Sequence, residues 1–196
     1  MNLPNKLSLS RIIIAPVMMF FYLANFIPYG IGKWIALALF VIGAITDFLD
    51  GYIARKYHLI TDLGKFLDPI GDKLLVTFAL ILVCCDGRVP LPYSAICLAI
   101  IVGRDLVIDM LRFVAAGKGV VIAADWFGKY KTTTQDIALV LLLLYSALLT
   151  VAGVPALLIS IVMWAAFGFL ALAVLLTIIS MINYLAKNKA VFSETK

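Results

Sequence analysis

Charge is scarce in this chain, and its scarcity narrows the class before any motif is read. Of 196 residues only 14% are Asp, Glu, Lys or Arg, while 64% are apolar. A water-soluble domain carries about 25% charged and about 45–50% apolar residues, so an ordinary soluble globule is excluded. Disorder is excluded too, because it needs low hydrophobicity and high net charge. Glutamate is nearly absent: ten of the eleven acids are Asp, and the exception, Glu194, stands in the C-terminal tail. Helical surfaces favour Glu over Asp, so these aspartates are not there to solvate helices. Histidine occurs once, as His58 beside Lys56, and reads as a solvated loop residue. Three cysteines (Cys84, Cys85 and Cys97) make an odd count without CxxC spacing, which gives neither a disulfide framework nor a zinc site. They read as small apolar fillers.

Uncharged sequence, by contrast, comes in long runs. Residues 12–46 carry one charge (Lys33), residues 74–103 carry two (Asp86 and Arg88), and residues 137–186 carry none. A spanning helix needs about 20 apolar residues, so the expected fold is all-α, a polytopic membrane protein forming one domain over 1–196. Six transmembrane helices are predicted near 12–30, 34–55, 66–85, 91–113, 132–151 and 155–186. The breaks between them are Pro28-Tyr29-Gly30, the stretches 56–65, 87–92 and 117–131, and Ala152-Gly153-Val154-Pro155, mostly punctuated by Gly or Pro. At 1.5 Å per residue the last helix is about 48 Å long, against a hydrocarbon core of about 30 Å. It is expected to tilt, to bend near Gly168 or to project from the bilayer. Lys6 and Arg11 precede the first apolar run as in a signal peptide, but no A-x-A-like cleavage site follows it and further spans do.

Basic residues set the expected orientation. With the N-terminus inside, fourteen of the sixteen Lys and Arg residues fall on the inner side or the adjoining helix ends, and only Lys33 and Arg88 on the other. Both termini are therefore expected in the cytoplasm, with the net charge of +5 concentrated on one face. Such a face suits anionic lipid and anionic substrates. Nothing in the chain points to a nucleic-acid partner.

The informative stretch is Asp47-Phe-Leu-Asp50-Gly51-Tyr-Ile-Ala54-Arg55, followed by Gly64-Lys-Phe-Leu-Asp68-Pro-Ile-Gly-Asp72. Asp47 and Asp50 are three apart and Asp68 and Asp72 four apart, so each pair shares one helical face. The second helix ends and the third begins on the cytosolic side, which brings the pairs to one depth. Four carboxylates there repel one another and lose hydration, at about 2.5–3.5 kcal/mol apiece on insertion scales. Arg55 and Lys73 offset part of that charge, and two divalent ions balance it. Carboxylate oxygens suit Mg²⁺, Mn²⁺ or Ca²⁺. Gly51, one turn from Asp47, leaves bare backbone where a bulky ligand approaches, or serves close helix packing. Arg55 offers a fork that matches phosphate oxygens. Paired metals beside an arginine describe phosphoryl transfer.

The string Asp47-x2-Asp50-Gly51-x2-Ala54-Arg55-x8-Gly64-x3-Asp68-x3-Asp72 resembles the complete signature of the CDP-alcohol phosphatidyltransferase family, in every position and every spacing over 26 residues. The resemblance implies six transmembrane helices with the motif on the second and third, a homodimer, and a multi-pass protein of the cell membrane with a cytoplasmic site. It implies that Asp47, Asp50, Asp68 and Asp72 bind two divalent cations, Mg²⁺ or Mn²⁺, and that Asp72 is the general base. It assigns Gly51, Arg55 and Thr61 to the CDP-lipid. The activity implied is transfer of the phosphatidyl group of CDP-diacylglycerol to an alcohol with release of CMP.

Two weaker likenesses point to one branch of the family, whose acceptor is glycerol 3-phosphate. Asn5-Lys-Leu-Ser8-Leu-Ser-Arg11 is similar to the interfacial segment that precedes the first span there, with Ser8 where Thr is expected; Asn5 and Ser8 are thereby assigned to CDP-diacylglycerol. Gly-Lys-Tyr-Lys-Thr at 128–132 resembles that branch's cytoplasmic loop. With Arg104 and Arg112, Lys129 and Lys131 are the expected contacts to glycerol 3-phosphate. Asp109 and Arg112, at i and i+3, alternatively pair with each other. Inositol phosphate and serine are the competing acceptors. Membrane prenyltransferases also use aspartate-rich helices with Mg²⁺-diphosphate, but in longer chains and without the positions of Gly51, Ala54, Arg55 and Gly64. An ion-coupled transporter needs acids near the midplane, whereas all four here lie toward one face.

Overall fold

A computed structural model describes residues 2–24, 27, 30–57, 61–117 and 126–188, with the side chains at 54, 55, 62 and 65 outside the description. Among the described residues the chain is all-helical, with six helices: α1 Leu3–Leu23, α2 Ile31–Lys56, α3 Asp62–Asp86, α4 Leu91–Gly117, α5 Trp126–Leu148 and α6 Ala156–Lys187. Three of them, α1, α2 over Ile31–Ile53 and α6, are long and apolar enough to cross a membrane. Their outward faces are apolar: Phe20, Phe48, Leu157 and Trp164 are exposed, the inverse of a soluble surface. The chain has the make-up of a membrane protein.

Several expected boundaries move, most of all in the first and fifth helices. The first helix starts at Leu3 instead of 12 and ends at Leu23 instead of 30. The segment Asn5–Arg11 is therefore no separate interfacial element but the first turns of α1. Its physical reason lies in the stripe Asn5, Ser8, Arg11, Ala15, Met18 and Tyr22, all buried. These residues follow one another at steps of three or four, so the polar turns pack on the same face as the apolar ones. α5 likewise starts at Trp126 instead of 132, and within its first turns Lys131 is buried and paired with Asp105 of α4. α6 is one continuous helix of 32 residues across Gly168.

α1 packs along α2 and α3, α5 lies along α6, and α4 joins the bundle through α6 and α3. The core between them is built from Ala15, Met18, Phe40, Leu75, Leu82, Leu139 and Leu143. A smaller cluster of Ile108, Leu111, Ala115 and Tyr184 closes α4 against α6. Polar side chains collect at both ends of this bundle. At one end Asp86 accepts from Lys33 at 2.7 Å, from Ser146 at 2.9 Å and from Arg88 at 2.6 Å. The motif aspartates stand at the other.

Candidate active site

Three of the four motif aspartates meet on a residue that charge spacing did not single out as their partner. Arg11 of α1 is wholly buried. Its Nη1 donates to Asp47 of α2, its Nη2 donates to Asp50 at 2.7 Å, and Asp68 of α3 lies 3.5 Å away. One turn earlier on α1, the Ser8 hydroxyl donates to Asp68. A carboxylate cluster in a low-dielectric bundle needs positive charge at close range, and α1 supplies it to α2 and α3 together. Of the cations expected there, Lys73 is engaged elsewhere, paired with Asp109 of α4. The side chain of Arg55 lies outside the described residues, as do His58, Lys118 and Asp125.

Glycine makes the approach of α1 to α3 possible. A Cβ on Gly71 would stand 2.9 Å from the Ser8 carbonyl, and one on Gly64 would stand 2.7 Å from the Asn5 side-chain oxygen. Any larger residue at these two positions would push α1, and with it Ser8 and Arg11, off Asp68. Thr61 caps α3, its hydroxyl accepting from the Gly64 amide at 3.0 Å. The same hydroxyl donates to Asn5 at 2.9 Å. Asn5, Ser8 and Thr61 are thus brought together beside Asp68. Gly51 is half-buried on α2 next to Asp50. Asp72, one turn beyond Asp68, is half-buried and has no hydrogen-bond or ion-pair partner among the described residues. It stands within electrostatic reach of Asp47 and Arg11.

A cavity of about 620 Å³ opens beside this cluster and shares Asp47 with it. Arg104 and Arg112 of α4 and Lys129 of α5 line it. Each cation is held by a neighbouring side chain. Arg104 donates to Ser180 at 2.6 Å and to Asp105 at 3.0 Å, and Arg112 donates through Nε to Tyr184 at 3.0 Å. Lys129 lies over the Trp126 ring. Arg112 does not pair with Asp109. Lys131 does not line the cavity: it is buried, with its ammonium on both oxygens of Asp105 at 2.8 and 2.9 Å. It stands one step behind Arg104, through their shared partner Asp105. Asp136 of α5, which charge spacing passed over, does line the cavity.

No three Asp, Glu, His or Cys side chains form a ready metal cage among the described residues, because a guanidinium stands among the carboxylates. The donor set nevertheless fits a hard divalent cation. Carboxylates from two helices already converge on one positive group, and oxygen-only donors of this kind select Mg²⁺ or Mn²⁺ over soft metals.

Over residues 1–179 the chain matches the family model for CDP-alcohol phosphatidyltransferase. The CDP-diacylglycerol–glycerol-3-phosphate 3-phosphatidyltransferase of Bacillus subtilis is 38% identical over 200 residues, covering 95% of each chain. The protein of the same name in Haemophilus influenzae is 36% identical over 191 residues, 96% of this chain and 94% of its own. That of Escherichia coli K12 is 34% identical over 197 residues, 96% of each.

Proposed function

The chain belongs to the CDP-alcohol phosphatidyltransferase family, and from that premise we propose that it transfers the phosphatidyl group of CDP-diacylglycerol to glycerol 3-phosphate. CMP and phosphatidylglycerol phosphate are the products. The observation that carries this reading is the shared wall at Asp47: on one side a carboxylate cluster, on the other a cavity lined by Arg104, Arg112 and Lys129. An uncharged acceptor has no use for three cations beside the reacting centre, whereas a phosphate ester does.

The residues divide the work as follows. Asn5, Ser8 and Thr61, gathered at the α1–α3 contact, and Gly51 and Arg55 on α2 receive the nucleotide end of CDP-diacylglycerol. Asp47, Asp50, Asp68 and Asp72 would hold two divalent ions, Mg²⁺ or Mn²⁺, which polarise the diphosphate and stabilise charge on departing CMP. Arg104, Arg112 and Lys129 hold the acceptor phosphate, and Lys131 keeps Arg104 in place through Asp105. Asp72, unpaired and one turn from Asp68, takes the proton of the acceptor hydroxyl. That oxygen bonds to the lipid-side phosphorus, and the bond from this phosphorus to the CMP oxygen breaks.

In this reading all six helices span the plasma membrane, with the site and both termini toward the cytoplasm, and two copies form a homodimer. The acyl chains remain in the bilayer while the nucleotide and the acceptor arrive from water. The test is CMP release by purified protein from CDP-diacylglycerol with a panel of acceptors. Glycerol 3-phosphate is expected to be the fastest. Faster turnover of glycerol, serine or inositol would contradict the acceptor assignment while leaving the family untouched.

A further inference from the structure

α5 presents Lys129, Thr132, Thr133 and Asp136 to the cavity, the i, i+3, i+4, i+7 set of one helical face. Lys129 suits a phosphate ester, since an ammonium donates to its oxygens, while the Thr132 and Thr133 hydroxyls donate back to the Gly128 and Lys129 carbonyls. Asp136 does not suit one. An ionised carboxylate is acceptor-only and repels phosphate. Yet it stands in the same wall as Arg104, Arg112 and Lys129, and none of them neutralises it: Asp136 has no hydrogen-bond or ion-pair partner among the described residues. Nor is it part of the motif cluster, which lies on α2 and α3; it shares the cavity with Asp47 and stands within electrostatic reach of Asp47, Asp72 and Lys131.

What such a group complements is a neutral donor, and the acceptor proposed above carries one to spare. With the phosphate of glycerol 3-phosphate on the cations and the attacking hydroxyl at the aspartate cluster, the central hydroxyl remains. We infer that Asp136 accepts a hydrogen bond from the central hydroxyl of the acceptor, and so selects a phosphorylated vicinal diol over a simple hydroxyalkyl phosphate. The inference rests on the acceptor reading above. It adds a residue that reads the middle of the substrate to those that hold its charged end.

3-Hydroxypropyl phosphate, which differs from glycerol 3-phosphate only in lacking the central hydroxyl, isolates this contact. The measurement is kcat/KM for both acceptors in the wild type, Asp136→Ala and Asp136→Asn, each assembled with CDP-diacylglycerol in detergent. A hydrogen bond to a charged group corresponds to a preference on the order of 10- to 100-fold for glycerol 3-phosphate in the wild type. Asp136→Ala is expected to lower kcat/KM far more for glycerol 3-phosphate than for the analogue, mainly through KM, collapsing the ratio toward one. Asp136→Asn, whose amide oxygen still accepts, is expected to keep part of it. An unchanged ratio in Asp136→Ala, or an equal fall in kcat for both acceptors, overturns the inference while normal wild-type turnover leaves the acceptor reading standing. Failure of the wild type to use glycerol 3-phosphate overturns both.

Discussion

Three of the four motif aspartates share one partner inside the apolar helix bundle, and that partner is Arg11. The four motif aspartates are legible in the sequence because their i, i+3 and i, i+4 spacing sits in two largely apolar stretches. Arg11 is not, because a basic residue before an apolar run reads equally well as a membrane anchor. The signal was the step of three from Asn5 through Ser8 to Arg11, which continues to Ala15 and Met18; a polar stripe in phase with an apolar one is a buried face. Asp136 hid for a different reason: a single acid at the start of an uncharged run has no pattern. The four aspartates also divide by environment. Asp47, Asp50 and Asp68 share Arg11, while Asp72 stands unpaired among the described residues. Asp72→Asn is therefore expected to keep a near-normal KM for CDP-diacylglycerol and to lose kcat by about 100-fold or more, the scale of a general base. Steady-state kinetics in both substrates checks this, and near-wild-type kcat would remove Asp72 from the base role.

At the scale of elements, helix number was legible and helix ends were not. Uncharged length counts helices well, since a helix of membrane-crossing length takes about 20 residues, though three of the six are apolar enough to cross. It places their ends poorly, because polar turns that find partners stay helical beyond the apolar run, as the early starts of α1 and α5 show. The far end of the bundle carries a second case. Lys33 and Arg88, the two basic residues expected on that side, both pair with Asp86, which also accepts from Ser146 while Ser146 accepts from Tyr22 at 2.8 Å. α1, α2, α3 and α5 are tied there by one saturated network. Asp86→Ala would leave the Lys33 ammonium, whose side chain is 17% exposed, without its anion. Breaking such a pair from one side costs about 3–5 kcal/mol. Thermal unfolding in detergent is expected to show a clear fall in Tm for Asp86→Ala and a smaller one for Asp86→Asn. Activity per folded molecule should persist, because Asp86 lies fourteen residues along α3 from Asp72, about 21 Å of rise. An unchanged Tm would mean the network carries no stability.

For the whole molecule, the distribution of charge gives the reaction its place. The orientation expected from the sequence puts fourteen of the sixteen basic residues toward one side, and among the described residues Arg104, Arg112 and Lys129 line the cavity that Asp47 shares. A lipid nucleotide would suit such a site because its two halves prefer different solvents: the proposed function puts acyl chains along the exposed apolar faces of the helices and the diphosphate among polar side chains. The acceptor reading was legible only through resemblance, since sequence spacing alone does not reveal which cations share a cavity. The structure gathers Arg104, Arg112 and Lys129 and sets Lys131 behind them on Asp105. The central claim is that phosphatidyl transfer runs on divalent cations held by Asp47, Asp50, Asp68 and Asp72. CMP release from CDP-diacylglycerol and glycerol 3-phosphate, followed first in excess chelator and then after adding Mg²⁺ or Mn²⁺, tests it most directly. The account predicts no release in chelator, recovery with either ion, and little recovery in Asp47→Asn, Asp50→Asn or Asp68→Asn; sustained wild-type turnover in chelator would contradict it.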